Sequence, residues 1–285
     1  MRVLVFGKTG QVATELQRQF NVVALGRQVM DFRRPERFEA VLDQHHADVF
    51  INVAAYTDVD GAEDNEELAT KINGVAPTIL AEISVKRNIP FLHVSTDYVF
   101  DGGGNSPWSP SDQPAPLNAY GRSKLEGEIG IAQVGGLFAI LRTSWIFSSI
   151  GRNFVKTMLQ LNAARDEVKI VSDQVGGPVA ASDVAGALLK MARVLNEERG
   201  QSGIYHFSGS PDVSWADFAR NIVLIAGGNL KVLDIPSSEF PTRAKRPCNS
   251  RMDCSKLQQI FDIERPDWQE SLKAVVSDLK EQIHV

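Results

Sequence analysis

"VLVFGKTGQVATEL", Val3 to Leu16, is the stretch on which the fold turns. A short apolar run ends at Gly7, a second glycine follows at Gly10, and a helical pattern takes over from Val12. The spacing is G-x-x-G-x-x-A, with Ala13 where a third glycine often stands. Such a turn needs residues without bulky side chains, so that backbone can approach a pyrophosphate. The helix behind it offers free N–H groups and a partial positive charge. A bare glycine pattern says little. Placed directly after the first strand of an alternating chain, it points to dinucleotide binding through Gly7 and Gly10.

The alternation continues outward from that stretch. "NVVAL", "DVFINVA", "PFLHVS" and "FAILRTS" read as buried strands rich in Val, Ile, Leu and Phe. Between them lie helical patterns over Val12–Phe20, Pro35–His45, Glu66–Arg87 and Ala119–Ala132. Strand, helix, strand, helix predicts an α/β fold: a Rossmann-type, doubly wound parallel sheet covered on both faces. After about Trp145 the rhythm loosens. Helices are expected over Asn153–Arg165, Ser182–Glu197, Trp215–Ala226 and Asp267–Ile283, with short strands at "VKIV" and "GIYHFSG". We therefore expect a dinucleotide-binding domain over 1–147 plus roughly 176–206. A smaller, interleaved α/β lobe for substrate is expected over roughly 148–175 and 207–285.

Composition narrows the partners. The 285 residues carry 30 Lys and Arg against 35 Asp and Glu, a net charge of −5, with 43% hydrophobic residues. That balance fits a globular protein and argues against nucleic acid as partner. The N-terminus lacks the length of a signal peptide or membrane span, so no membrane is expected and the cytoplasm is the default. Cys248 and Cys254 match no common zinc spacing and read as reduced thiols. The acidic run "DVDGAEDNEE" has no His or Cys beside it and reads as a solvated loop and helix start. No metal site is expected.

The end of the second strand selects the cofactor. An acidic residue about 20 positions after the glycine turn would grip a free ribose 2′-OH. Gly26 and Arg27 occupy that place. With no carboxylate to repel a 2′-phosphate, and Arg27 available to pair with it, NADPH is expected over NADH. In "MDF", Asp31 would accept from the adenine amino group and Phe32 would lie on its ring. In "NVAAYT", Ala54 to Tyr56 are small where ribose and diphosphate would meet backbone.

The fourth strand ends in "HVSTDYVFDG", which places Ser95, Thr96 and Asp97 at the mouth of a site beyond the carboxyl ends of the strands. Tyr120 and Lys124 follow in "NAYGRSKLEGE", four apart and so on one helix face. Reducing a ketone with a nicotinamide needs a hydride on carbon and a proton on oxygen. A free tyrosine has a pKa of about 10, and a neighbouring ammonium is expected to lower it. Tyr120 would deliver the proton, Lys124 would acidify it and hold the nicotinamide ribose, and Thr96 would bond the substrate oxygen. "TRAKRP", with Arg243, Lys245 and Arg246, is the candidate grip for a diphosphate.

In order and spacing, the glycine turn, the strand-end Ser-Thr-Asp and Tyr-x-x-x-Lys resemble the extended short-chain dehydrogenase/reductases. "GKTGQV", "STDYVFDG", "PLNAYGRSKLEGE", "LRTSWIF", "NFVKTML", "DQVGGP" and "RPCNSRMD" are similar to the dTDP-4-dehydrorhamnose reductase family within them, over essentially the whole chain. The resemblance implies NADPH-dependent reduction of the 4-keto group of dTDP-4-dehydro-β-L-rhamnose. It implies cofactor contacts at Gly10, Gln11, Val12, Asp31, Phe32, Ala54, Ala55, Tyr56, Tyr120 and Lys124, and substrate contacts at Thr96, Asp97 and Trp145. Some members are magnesium-linked dimers. Glu15 stands at one such position, but Ser182 stands where another carboxylate would be, so monomer and homodimer both stay open. Two rivals share the scaffold: another nucleotide-sugar reductase or epimerase, and a non-catalytic regulatory subunit like that of methionine adenosyltransferase. A dehydratase would want a carboxylic acid after Thr-Asp, where Tyr98 stands.

Overall fold

The computed structural model describes residues 1–198 and 202–283. Six strands, β1 (Val3–Phe6), β2 (Val23–Leu25), β3 (Val49–Asn52), β4 (Phe91–Thr96), β5 (Phe138–Thr143) and β6 (Gly203–Phe207), form one sheet in the order β6-β5-β4-β3-β1-β2. Every pairing is parallel. This is the doubly wound sheet that the alternating pattern predicts. Strands buried on both faces need apolar side chains in both directions, and β1 and β3 are buried at every position. One face packs Val5, Ile51, Leu92 and Leu141 against Leu16, Leu188 and Leu195 of the helices Gln11–Gln19 and Ala181–Glu198. The other packs Leu4, Phe6, Phe50 and Ile140 against Phe38, Leu80 and Ile131. Each such side chain, fully buried, contributes roughly 1.5–3 kcal/mol.

A second core gathers Phe147, Met158, Phe218, Ile222, Trp268 and Leu272. Apart from Phe147, on the short strand Ile146–Phe147, they come from the helices Phe154–Ala164, Trp215–Ala226 and Trp268–Ile283, beside a two-stranded parallel ribbon of Glu167–Val171 and Lys231–Ile235. The "GIYHFSG" run supplies β6, the outer neighbour of β5 in the large sheet.

Several boundaries differ from the sequence reading. The predicted helix Pro35–His45 is a 3-10 turn, Pro35–Arg37, followed by five α-helical residues, Phe38–Leu42. The predicted helix Glu66–Arg87 is broken by a π turn at Lys71–Val75. The side chain of Asn73 explains the break, being drawn out of the helix into three bonds. Its Oδ1 accepts from the Tyr56 amide (2.8 Å), and its Nδ2 donates to the Tyr56 carbonyl (3.0 Å) and to Ser123 Oγ (2.9 Å).

The helix Ala119–Val134 starts where Asn118 Oδ1 caps the Gly121 amide at 2.8 Å. Its approach to the end of β4 depends on a missing side chain. A Cβ at Gly121 would sit 2.1 Å from the Tyr98 carbonyl oxygen. Among the described residues, no helix is long and apolar enough to cross a membrane.

Candidate active site

The glycine turn has the shape its sequence demands. Gly7 adopts φ +108°, and a Cβ there would crowd Val53 Cγ2 at 3.1 Å and the Ala54 nitrogen at 3.3 Å. Gly10 opens the helix Gln11–Gln19 with no side-chain cap, and the space its Cβ would take is open. The first-turn amides therefore face a clear cradle fit for a pyrophosphate. The Gln11 Oε1 is already engaged, accepting from Ser148 Oγ (2.8 Å) and Asn153 Nδ2 (3.2 Å). Val12 is buried. Ala54, Ala55 and Tyr56 are half-buried after β3, with the Ala54 amide already bonded to Asn52 Oδ1 at 3.0 Å and the Tyr56 amide to Asn73.

At the end of β2, Arg27 is exposed and lines a cavity of about 600 Å³ with Gln28, Asp31, Arg33, Arg34 and Arg37. Asp31 is gripped by Arg33 at 2.6 and 3.0 Å, and this hydrogen bonding brings its carboxyl down to about 2. Two expectations change here. Phe32 does not lie open for an adenine ring: it is buried, with its ring 6.5 Å from Phe6 and 5.2 Å from Phe38. Asp31 offers its oxygens first to Arg33. Arginines 33, 34 and 37, legible in "DFRRPER", join Arg27 here.

Beyond the carboxyl end of β4, the helix from Ala119 brings Tyr120 and Lys124 to the strand. Tyr120 is half-buried and hydrogen-bonds Thr96; burial pushes its phenol up to about 12, against the pull of that bond. Thr96 Oγ1 also donates to Asp97 Oδ1 (3.1 Å) and accepts from the Tyr98 amide (3.2 Å). Lys124 is buried, and its Nζ donates to the Val94 carbonyl (2.7 Å) and meets His93 Nε2 at 3.1 Å. Burial lowers its pKa to about 8, opposed by the charge of Glu128. The expected acidification of Tyr120 is thus not seen. Nζ is committed to β4, and burial acts on the phenol in the other direction.

Asp97 is not at an open mouth but buried. Burial raises its carboxyl to about 6, partly offset by Ser250 Oγ donating to Oδ2 at 2.5 Å and by Thr96. Tyr98 turns its ring edge to Tyr120, centroids 5.7 Å apart, and hydrogen-bonds Arg246; burial shifts its phenol upward. Trp145 sits in the left-handed region at φ +48° and stacks on Trp215, centroids 3.7 Å apart. A non-glycine residue held there is the kind of strain that collects at functional sites. Next to this stack, Phe154, Lys169, Gln174, Trp215, Phe240 and Arg246 line a cavity of about 280 Å³.

The acidic run is not simply solvated. Asp60 takes Arg246 (2.9 Å) and the Ala244 amide (3.0 Å), Asp64 pairs with Arg243, and Glu66 pairs with Arg122 at 2.6 Å. Asn118 Nδ2 donates to the Lys245 carbonyl at 2.7 Å. "DVDGAEDNEE" is therefore the dock for "TRAKRP", which sets Arg246 beside Tyr98. Two runs of opposite charge far apart in sequence, with separations of 179 to 186 residues between the paired groups, meet here. Glu15 pairs with Arg18 at 3.0 Å, and Ser182 gives its carbonyl to Gln19 (3.1 Å). Among the described residues, no three His, Cys, Asp or Glu side chains cluster as metal ligands.

Comparison with known proteins gives the family. The family model described as RmlD substrate binding domain matches residues 1–281. The dTDP-4-dehydrorhamnose reductase of Sinorhizobium fredii is 40% identical over 286 positions, covering 97% of each chain. The crystal structure of dTDP-4-dehydrorhamnose reductase from Bacillus anthracis in complex with NADP matches with a TM-score of 0.92 at 30% identity, covering 97% of this chain and 99% of that one. An ortholog from Clostridium acetobutylicum matches with a TM-score of 0.92 at 35% identity, covering 98% and 100%.

Proposed function

The chain belongs to the RmlD substrate binding domain family, and from that premise we propose that it is an NADPH-dependent reductase acting on dTDP-4-dehydro-β-L-rhamnose to give dTDP-L-rhamnose. The observation that carries the reading is the meeting of the Tyr120 phenol with Thr96 at the carboxyl end of β4, with Lys124 one helical turn away. When bound, NADPH supplies a hydride to the carbonyl carbon. The backbone of Gly7, Gly10, Gln11 and Val12 holds its diphosphate, and Arg27, with Arg33 and Arg34 beside it, receives the 2′-phosphate in preference to a bare hydroxyl. Residues 1–147 with roughly 176–206 form this half, and roughly 148–175 with 207–285 form the half that holds the sugar nucleotide.

Tyr120 keeps its proton at neutral pH because burial holds the phenol at about 12. It passes that proton to the substrate oxygen as the carbonyl becomes an alcohol. Thr96 orients the phenol and shares the substrate oxygen. The cavity beside Trp215 and Phe154 takes the nucleobase, with Arg246 and Lys169 on the diphosphate side. Tyr98 stands where a dehydratase would place an acid, and a phenol bonded to Arg246 does not protonate a leaving hydroxyl. Two unpaired thiols fit a reducing, cytoplasmic setting.

The test is NADPH consumption with the dTDP-linked 4-keto sugar. Tyr120→Phe is expected to lower kcat by about 10²–10⁴-fold with KM little changed. Full activity in that variant, or no consumption by the wild type, overturns the reading.

A further inference from the structure

The reaction above uses only Arg246 of the run "RPCNSRMD", 246–253. The strand Asn249–Ser250 within it pairs in parallel with Val175–Gly176. From there the run stitches down the connection between β4 and the helix Ala119–Val134. The Asn249 amide donates to the Gly102 carbonyl (3.1 Å), and its Nδ2 donates to the Ser106 carbonyl (2.8 Å). Its carbonyl accepts from Trp108 Nε1 (3.0 Å), and the Arg251 carbonyl accepts from the Trp108 amide (2.9 Å).

Ser250 reaches instead into the site. Its Oγ donates to Asp97 Oδ2 at 2.5 Å, with both residues buried and 153 positions apart. The other oxygen, Asp97 Oδ1, accepts from Thr96 Oγ1 at 3.1 Å, and the Tyr120 phenol meets Thr96 in turn. The order is Ser250, Asp97, Thr96, Tyr120, from one half of the chain into the other. A carboxylate taken out of water needs donors on both oxygens, and these two hydroxyls are such donors. Gly176, in register with Ser250, leaves room on the far side. A Cβ there would stand 3.0 Å from Ser250 Cβ and 3.1 Å from Trp145 Cε2. Trp145 and Thr96 thus share one support.

We propose that Ser250 is a positioning residue: through Asp97 it ties the substrate half of the chain to Thr96, and so keeps the Tyr120 phenol in register with the sugar which that half carries. This rests on the reading of Thr96 and Tyr120 as the reacting pair. The clasp is strongest while Asp97 is a carboxylate, because bonds to an ionised acceptor are the strong ones. Burial raises that carboxyl to about 6, and the Ser250 and Thr96 bonds pull it back. Around it, Tyr98 is set against Arg246, and Tyr120 comes from the helix Ala119–Val134. Lys124 of that helix is held by the Val94 carbonyl, and Arg251, beside Ser250, bonds Asn249 Oδ1 at 3.0 Å.

The test reads Asp97 without turnover, by NMR of the full-length protein carrying ¹³C at its aspartate carboxyls. Asp97→Asn assigns the signal by its loss. The wild type is expected to titrate near 6. Ser250→Ala removes a donor to the charged form, so Asp97 should titrate about one pH unit or more higher, and the acid limb of kcat/KM should move up with it. The kcat/KM plateau for the nucleotide sugar should fall about tenfold or more, the scale of one charged hydrogen bond, with KM for NADPH unchanged. Ser250→Ala with the Asp97 titration and the acid limb both unmoved overturns the proposal. So does a wild-type acid limb that does not coincide with the Asp97 titration, a result that stands even if the variant fails to fold. Full activity of Tyr120→Phe would instead sink the catalytic reading and leave the Asp97 titration untouched.

Discussion

Tyr120, Thr96 and Lys124 show how far a spacing rule reaches. Four residues apart on a helix means one face, and that part of the site was legible because it is local geometry. What each group does was less legible, because it depends on neighbours distant in sequence. Lys124 Nζ goes to β4, and the phenol is pushed up to about 12 where a lowered value was expected. Phe32 looks like a platform for a base in "MDF" but is core, because Phe6 and Phe38 close on it. Of the three basic residues in "TRAKRP", Arg246 is the one with a structural reason to be the diphosphate grip. It alone of the three bonds Tyr98, the neighbour of Tyr120. Arg246→Ala should raise KM for the nucleotide sugar about tenfold or more, the scale of one lost charged hydrogen bond, and spare KM for NADPH. Steady-state kinetics varying each substrate in turn checks this, and an unchanged sugar KM removes the role.

At the scale of elements, the helix Ala119–Val134 is the part on which the site depends most. Its capping residue Asn118 both starts it and fastens it to the Lys245 carbonyl, so helix position and substrate-lobe loop are set together. Gly121 lets the first turn press on the end of β4. Its role could not be seen in "AYGRSK", where it reads only as a poor helix former, since the closeness is to the Tyr98 backbone. Gly121→Ala should improve intrinsic helix propensity yet lose roughly 1–3 kcal/mol by overpacking, and it should lower kcat by moving Tyr120 off Thr96. Denaturant unfolding with parallel kinetics checks both parts. A variant as stable and active as the parent would show that the helix is free to shift. The π turn at Lys71–Val75 was likewise invisible, because a single asparagine pulled toward Tyr56 and Ser123 breaks a pattern that is periodic on both sides.

For the whole molecule, the parallel sheet was readable from its alternating apolar runs, but the pairing of the two lobes was not. Charge complementarity between 58–66 and 243–246 has no local signature. Buried histidines govern the response of the whole fold to acid. His93 is held neutral by burial and by Lys124, and His206 is lowered to about 3 by burial and then by Arg142. Both take up protons below about pH 6.5 only when the chain unfolds, so the stability they contribute is present above that pH and lost as pH falls. Asp97, raised to about 6, runs the other way: the folded chain holds a proton there that the unfolded chain lacks. Two groups against one leave a net uptake of roughly one proton on unfolding near pH 5. Urea-unfolding free energy should fall by about 1.4 kcal/mol per pH unit there, and Asp97→Asn should steepen the slope toward two protons. A flat profile between pH 6 and 5 would contradict the neutral state of these rings.

The place of β6 has one more consequence. It is the last strand to join the sheet, and it arrives after the chain has already passed through the helix Phe154–Ala164 of the other core. While the protein is being made, β5 therefore waits as a bare edge until residue 207 has left the ribosome. A nascent chain stalled before that point would display a naked hydrophobic flank, and chaperone capture is the fate to expect for it.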